Sequence, residues 1–183
     1  MSRSPWWALE AFDRTIRGLL WDSEATVAPY VAPGDRVADL GCGVGFHAIA
    51  LSRLVGPRGE VVLVDVQQEV LRRAVDRCRR DPLARAPLTP VLADIGGDLP
   101  INGELDFALV FWALHEVEEP KRFWRQLVPH LRAGAKVLVA EPILHVHRRR
   151  YEDQLRPAQD MGLARADVDG IAFTNAAVLT AVQ

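Results

Sequence analysis

A glycine-rich turn between a short apolar run and an amphipathic segment constrains the fold of this chain more than any other feature. Residues 37–40 form the apolar run and predict a strand, and a helix is expected from about residue 46 to residue 54. Between them lie three glycines: Gly41, Gly43 and Gly45. Glycine lets the backbone turn sharply and lets a ligand approach without a Cβ in the way. Because a helix N-terminus also presents free N–H groups, this pattern predicts a site for a small ligand.

The rest of the chain repeats the alternation of strand and helix. Apolar runs at residues 61–64, 88–92, 107–111 and 137–140 predict strands, and the segments at 67–80 and 120–131 predict helices. Such alternation predicts a parallel sheet covered on both faces. After a helix expected at 148–161, the turn signal Asp169-Gly170 predicts that residues 171–179 return antiparallel. The expected fold is an α/β three-layer sandwich whose mostly parallel sheet carries a C-terminal antiparallel strand.

The length and composition favour a single globular domain with a short arm. The chain has 183 residues, of which 49% are hydrophobic and 25% are charged. Apolar side chains recur at helical spacing near the N-terminus, namely at Trp6, Leu9, Phe12, Ile16 and Leu20. We therefore expect an N-terminal helical arm at residues 1–30 and a ligand-binding domain at residues 31–183.

Charge and cysteine content exclude several classes of partner. The net charge of -2 offers no overall attraction to a polyanion, so we expect no nucleic-acid partner. No apolar run approaches the roughly 20 residues that cross a bilayer, and the N-terminus does not have a signal-peptide pattern, so no membrane partner is expected. With only Cys42 and Cys78 present, a disulfide framework is not expected, and the composition favours a cytoplasmic protein.

The details of the glycine turn discriminate between two nucleotide ligands. Asp65 ends the next predicted strand about 20 residues past the turn, where a carboxylate can accept hydrogen bonds from ribose hydroxyls. This arrangement permits NAD as well as S-adenosylmethionine (SAM). However, Phe46 occupies the third glycine position of the dinucleotide pattern G-x-G-x-x-G, and the acidic Asp39 precedes the turn. A pyrophosphate needs no carboxylate beside it, whereas the SAM ammonium group could use one, so the turn favours SAM.

Five segments together resemble class I SAM-dependent methyltransferases. They are Val-Ala-Asp-Leu-Gly-Cys-Gly-Val-Gly at residues 37–45, Val-Leu-Val-Asp at 62–65, Ala-Asp-Ile at 93–95, and the segments 106–117 and 131–142. The chain is most similar to the branch that contains ubiquinone and menaquinone C-methyltransferases and many small-molecule methyltransferases. The resemblance implies a Rossmann-like fold, SAM as cofactor, S-adenosylhomocysteine as product, and a small-molecule methyl acceptor as partner.

The resemblance also implies which residues contact the cofactor. They are Asp39, Gly41, Cys42, Gly43, Gly45, Asp65, Val66, Asp94, Ile95, Phe111 and Trp112. The glycine turn would wrap the methionine half of SAM, with Asp39 near its ammonium group. Asp65 would hold the ribose diol. Val66 would pack on the adenine, Asp94 would accept from its amino group, and the Ile95 N–H would lie nearby. The two aromatic residues would lie near the sulfonium.

Polar residues that follow the predicted strands are candidates for catalysis. His115, Glu116, Glu141, His145 and His147 come after the fourth and fifth parallel strands, and ligands bind beyond the carboxyl ends of such strands. His115 is the first candidate for a general base because an imidazole titrates near neutral pH. These residues do not form a compact metal-ligand motif, so no metal is expected.

Three classes of function remain open on these grounds. The first is methyl transfer from SAM to a small molecule, and the second is an oxidoreductase of the NAD type. The third is a protein that binds SAM without turning it over. The sequence is compatible with a monomer or a homodimer.

Overall fold

Seven strands and five helices build the part of the chain that the computed structural model describes, residues 21–182. The strands are β1 (Arg36–Leu40), β2 (Glu60–Asp65), β3 (Leu88–Leu92), β4 (Leu105–Phe111), β5 (Leu131–Pro142), β6 (Leu163–Asp167) and β7 (Thr174–Ala181). The helices are α1 (Ser23–Val27), α2 (Phe46–Val55), α3 (Gln68–Arg80), α4 (Pro120–Leu127) and α5 (Arg148–Asp160). Most of the predicted N-terminal arm, residues 1–20, lies outside the described residues.

The strands form one sheet in the order β3-β2-β1-β4-β5-β7-β6. Strands β1 to β5 pair in parallel, and β7 pairs antiparallel with β5 on one side and β6 on the other. The predicted fold class is therefore confirmed, including the C-terminal antiparallel strand. The structure adds that β7 inserts between β5 and β6, so β6 forms one edge of the sheet and β3 the other.

Alternate residues of the central strands pack into two separate hydrophobic cores, one on each face of the sheet. Ala38, Val62 and Val137 point into a core closed by α4 and α5. Their neighbours Val37 and Val61 point into a second core closed by α2 and α3. Successive side chains of a strand point to opposite faces, so continuous apolar runs are what a sheet covered on both sides requires. This arrangement gives the three layers.

The largest differences from the predicted element boundaries lie between α4 and β5. Helix α4 ends at Leu127, a 3₁₀ turn follows at Val128–His130, and β5 already begins at Leu131. The predicted helix at 120–131 was thus too long and the predicted strand at 137–140 too short. Pro129 has no N–H to donate to the carbonyl four residues earlier, which ends the α-helical hydrogen-bond ladder.

The described end of the predicted arm joins the main core. Asp22 caps α1, since its side chain accepts from the backbone N–H groups of Glu24 and Ala25. Val27 of α1 is fully buried in the core that α2 and α3 close. The division of the chain at residue 30 stays a prediction.

Shortening a core side chain of α4 should destabilise the domain. Leu127 is 0% exposed, so we expect Leu127→Ala to lower the free energy of unfolding by about 2–5 kcal/mol through lost burial and a residual cavity. Urea denaturation measures this loss. The control Leu83→Ala removes the same atoms from a side chain that is 60% exposed, and should change stability by no more than about 0.5 kcal/mol. Equal losses in both variants would contradict the packing described here.

Candidate cofactor cleft

A cleft of about 500 Å³ opens at the carboxyl ends of the parallel strands. Its wall is made by the turns that follow four strands: Gly41, Gly43 and Val44 after β1, Asp65, Val66 and Gln67 after β2, Ala93 to Gly97 after β3, and Phe111 to Ala113 after β4. The volume lies within the range typical of small-ligand sites. Ligands of open α/β sheets bind at this edge, so the cleft is where the topology places a site.

The three positions of the turn require glycine for different structural reasons. Gly41 has a φ of 77°, and a Cβ there would lie 2.6 Å from the Ala113 Cβ. A Cβ at Gly45 would lie 3.0 Å from the Ala74 Cα. These two glycines therefore allow close packing inside the protein. Gly43, with a φ of 53°, is different, because a Cβ there would meet no described atom within 4 Å. Gly43 lines the cleft and keeps its space open for a ligand.

Two carboxylates of the cleft are held in place by backbone N–H groups. The Asp65 carboxylate accepts from the Gly43 N–H at 3.1 Å and from the Gln67 N–H at 2.9 Å. Asp94 accepts from the Gly96 N–H at 2.8 Å. The first contact joins the turn after β1 to the turn after β2, so the position of Asp65 depends on the same glycine that faces the cleft.

Aromatic residues form the end of the cleft beside β4. Trp112 has a φ of 57°, which is unusual for a residue with a side chain, and its N–H donates to the Ala140 carbonyl at 2.7 Å. Trp21 packs edge-on against it with ring centroids 5.0 Å apart and also contacts Phe111 at 6.2 Å. The Trp21 indole N–H donates to the Ala172 carbonyl at 2.9 Å. A residue from the predicted arm thus supports the wall of the cleft.

The mouth of the cleft is acidic. Glu116, Glu118 and Glu119 line it together with Arg122, whose guanidinium pairs with Asp98 at 3.0 Å. A cleft lined by one sign of charge favours ligands of the opposite sign. This mouth therefore suits a ligand with positive charge.

Comparisons with known proteins agree with this geometry. Residues 37–134 match the family model described as "Methyltransferase domain". The chain belongs to the class I SAM-dependent methyltransferase family. The resemblance drawn from the five sequence segments is confirmed, and membership of this family argues against the NAD-type alternative.

Curated relatives include methyltransferases of quinone-type molecules. One relative is a 2-phytyl-1,4-naphtoquinone methyltransferase of Synechococcus elongatus, with 35% sequence identity. The match covers 86% of this chain and 65% of the relative. Another relative is a ubiquinone/menaquinone biosynthesis C-methyltransferase of Ralstonia nicotianae, with 31% sequence identity. This match covers 67% of this chain and 49% of the relative. The chain thus spans less than two thirds of the length of either relative.

The fold is shared with a solved methyltransferase structure. A SAM-dependent methyltransferase from Aquifex aeolicus superposes with a TM-score of 0.82 at 21% sequence identity. The match covers 98% of this chain and 100% of the other. At this identity the likeness concerns the fold.

Most residues predicted to contact the cofactor line this cleft. They are Gly41, Gly43, Asp65, Val66, Asp94, Ile95, Phe111 and Trp112. Asp39, Cys42 and Gly45 do not line it. Asp39 and Cys42 are buried behind the turn, and Gly45 packs on α3.

Several lining residues were missed by the sequence reasoning. Gly96 and Gly97 follow Asp94 directly, and a glycine pair after a predicted strand is a turn signal that could have marked them. Gln67 extends the turn after β2, and Glu118 and Glu119 extend the segment after β4. The two glutamates had no sequence signal, because their place at the mouth depends on how the chain leaves the 3₁₀ turn Leu114–Glu116.

His115, the predicted base, lies on that 3₁₀ turn and not among the lining residues. Its Nδ1 lies 2.6 Å from Oε2 of Glu141, whose side chain is fully buried, while the His115 side chain is 24% exposed. The hydrogen bond to Glu141 raises the pKa of His115. Burial opposes this shift, the charges of Glu141 and Glu116 add to it, and the charge of Arg150 reduces it.

The remaining predicted polar residues do not form a metal centre. His145 and His147 are exposed on the segment between β5 and α5. Within residues 21–182, no group of three or more His, Cys, Asp or Glu side chains is arranged to hold a metal ion. In the same range, no helix is both long and apolar enough to cross a membrane.

The raised pKa of His115 predicts how stability depends on pH. A folded-state pKa above the unfolded value of about 6.5 means that protonated His115 stabilises the fold. That contribution is complete below about pH 6.5 and is lost as pH rises through the folded-state pKa. We expect the stability difference between the wild type and His115→Gln to shrink from about pH 6 to about pH 9 in thermal melts. A difference that stays constant or grows with pH would contradict the ion pair.

Proposed function

We propose that this chain is an enzyme which transfers a methyl group from SAM to a small-molecule acceptor. The observation that carries the proposal is the open space in front of Gly43, beside the anchored carboxylate of Asp65. A glycine without steric neighbours and a fixed carboxylate form a cradle for a nucleoside with a short polar chain. Family membership and the fold support SAM as that ligand.

We assign the lining residues to the parts of SAM in the order of the strands in the sheet. Asp65 would accept hydrogen bonds from the ribose hydroxyls, and Asp94 would accept from the adenine amino group, with Val66 and Ile95 beside the base. Phe111 and Trp112 would lie near the sulfonium. A cation is attracted to aromatic faces, and the acidic mouth adds to that attraction. When bound, SAM supplies a methyl group on a positively charged sulfur.

Residues behind the lining support the cradle. Asp39 and Cys42 are only 3% and 5% exposed, and Gly45 allows α2 to begin against Ala74. We propose that Cys42 and Gly45 shape the turn and that the charge of Asp39 acts on the SAM ammonium group from beneath it. Cys42 and Gly45 would contribute to affinity through the position of Gly43.

The acceptor is proposed to be a small planar molecule. Phe111 and Trp112 line the end of the cleft beside β4 and would pack against a ring, with Trp21 supporting them from behind. The names of the two curated relatives, which refer to naphthoquinone and to ubiquinone and menaquinone, support an aromatic ring of this kind.

The setting of the enzyme also stays a proposal. Cys42 and Cys78 are both buried and unpaired as disulfides, which supports a reducing compartment such as the cytoplasm. A monomer or a homodimer is compatible with these observations.

We further propose that His115 is the general base when the acceptor must lose a proton. Its Nδ1 is engaged by Glu141, which leaves Nε2 to take the proton from a hydroxyl or an acidic carbon. A positioned base usually contributes about 10²–10⁴-fold to a rate. Acceptors that are already good nucleophiles, such as thiolates, would need little of this help.

Calorimetry with Gly43→Val tests the cofactor site. We expect the wild type to bind SAM with a dissociation constant of about 1 μM or weaker, and Gly43→Val to bind none, because the branched side chain fills ligand space. Gly134→Val is the matched control, since Gly134 also has a positive φ and open space but lies outside the cleft. The control should keep SAM affinity whatever it loses in stability. Heat with NAD but none with SAM would refute the proposal.

The variant His115→Ala tests the base and reports the class of nucleophile. With a hydroxyl or carbon acceptor, turnover should fall by about 10²–10⁴-fold, while SAM affinity should hardly change. Single-turnover kinetics and calorimetry measure the two quantities separately. A large loss of SAM affinity in a folded His115→Ala protein would refute the assignment, since His115 would then belong to the cofactor site.

A further inference from the structure

A fully buried carboxylate stands at the carboxyl end of β5. The Glu141 side chain is 0% exposed. Moving a carboxylate out of water costs several kcal/mol unless each oxygen finds good hydrogen-bond donors. The hydrogen-bond donors around the two oxygens of Glu141 therefore indicate the role of this carboxylate.

All the hydrogen-bond contacts of Glu141 among the described residues go to the 3₁₀ turn Leu114–Glu116. Its Oε1 accepts from the Leu114 N–H at 2.7 Å and from the His115 N–H at 3.3 Å. Its Oε2 contacts the His115 ring at Nδ1, at 2.6 Å. One oxygen thus holds the backbone of the turn and the other holds the imidazole.

The backbone of the turn has further support that does not involve Glu141. Gln154 on α5 donates from its side chain to the Leu114 carbonyl at 2.9 Å, and Trp124 on α4 donates to the Gln154 carbonyl at 2.8 Å. Arg150 donates to the His115 carbonyl at 2.8 Å. These bonds hold the backbone carbonyls of the turn without Glu141. The contact between Glu141 and Nδ1 is not needed for that purpose, and its distinct effect is on the protonation and tautomer of the His115 ring.

The contact at Nδ1 selects one tautomer of His115. An ionised carboxylate only accepts, so the imidazole must donate its Nδ1–H to Glu141, and the lone pair of the neutral ring then lies on Nε2. Within residues 21–182, Nε2 has no hydrogen-bond partner, and the His115 side chain is 24% exposed, which leaves the lone pair free to accept a proton.

We propose that Glu141 is a positioning residue that holds His115 with its Nδ1–H toward the carboxylate and its Nε2 ready to accept a proton. The proposal rests on the proposed methyl transfer and on His115 as its base. Glu141 itself would touch neither the cofactor nor the acceptor. Its role resembles that of a carboxylate that orients a catalytic imidazole in other enzymes.

The charges around the ring determine the expected pH dependence. Glu141 on β5 and Glu116 on the same turn favour the protonated ring, and Arg150 on α5 opposes it, with a raised pKa as the net result. The rate should therefore increase with pH and level off above the raised pKa of His115. Removing the charge of Glu141 should move that inflection to lower pH.

The variant Glu141→Gln separates positioning from simple support of the turn. Glutamine can still accept from the Leu114 N–H, but its amide can donate to Nδ1 and so favour the Nε2–H tautomer, which cannot act as the base. We expect turnover at high pH to fall by about 10²-fold or more, with an inflection at lower pH and unchanged SAM affinity. The loss should be smaller at low pH, where wild-type His115 is itself protonated.

The matched control is Gln154→Met, which removes the bond to the Leu114 carbonyl at similar side-chain volume. It should lower activity by a factor that does not change with pH, because it leaves the His115–Glu141 pair intact. If both variants show the same pH-independent loss, Glu141 only supports the turn and the proposal is overturned.

Nitrogen NMR of His115 gives a readout without turnover. We expect the wild type to show the Nδ1–H tautomer and a pKa above the ordinary histidine value, and Glu141→Gln to lower that pKa. A wild-type ring protonated at Nε2 in its neutral form would overturn the proposal. Failure of the proposed function has a different signature, since the NMR result would hold while calorimetry showed no SAM binding.

Discussion

The close approach of Gly41 to Ala113 is the contact on which the cleft depends. Gly41 follows β1 and Ala113 follows β4, and these two strands are neighbours in the sheet. Since a Cβ at Gly41 would lie 2.6 Å from that of Ala113, only glycine lets the two turns meet. Their meeting places the open face of Gly43 and the aromatic pair Phe111 and Trp112 on the wall of one cleft.

The segment after β4 connects this cleft with the polar network behind it. Ala113 touches the glycine turn, and the next three residues form the turn that Glu141 holds. Gln154 and Trp124 extend the network into the core closed by α4 and α5. In this network the side-chain nitrogen and the carbonyl of Gln154 are bonded, while its buried side-chain oxygen has no partner among the described residues. The bonds connect the segment beside the cleft to the core on one face of the sheet.

The sequence was sufficient to indicate the part of the cleft lined by Gly43, Asp65 and Asp94 because that information is local. Each of these residues lies at or shortly after the carboxyl end of a strand, and parallel strands bring their carboxyl ends together. The pairing of the two candidate polar residues was less accessible to sequence reasoning. His115 and Glu141 were both candidates, but their contact joins residues 26 positions apart, one on the 3₁₀ turn after β4 and one on β5, and the spacing alone did not show that they pair. Trp21, which lies within the predicted arm, packs against Trp112, and the sequence did not indicate this contact.

The sequence by itself determined the class of fold, the glycine turn and the family, because strand runs, helix patterns and turn glycines act through nearest neighbours along the chain. Only the tertiary structure decided which glycine of the turn has open space in front of it, since a Cβ at Gly41 would meet Ala113 and one at Gly45 would meet Ala74, while one at Gly43 would meet no described atom within 4 Å. It also decided that β7 lies between β5 and β6, and that the His115 ring is tied to a buried carboxylate. These outcomes depend on distances between segments far apart in sequence, which the packing of both faces of the sheet sets.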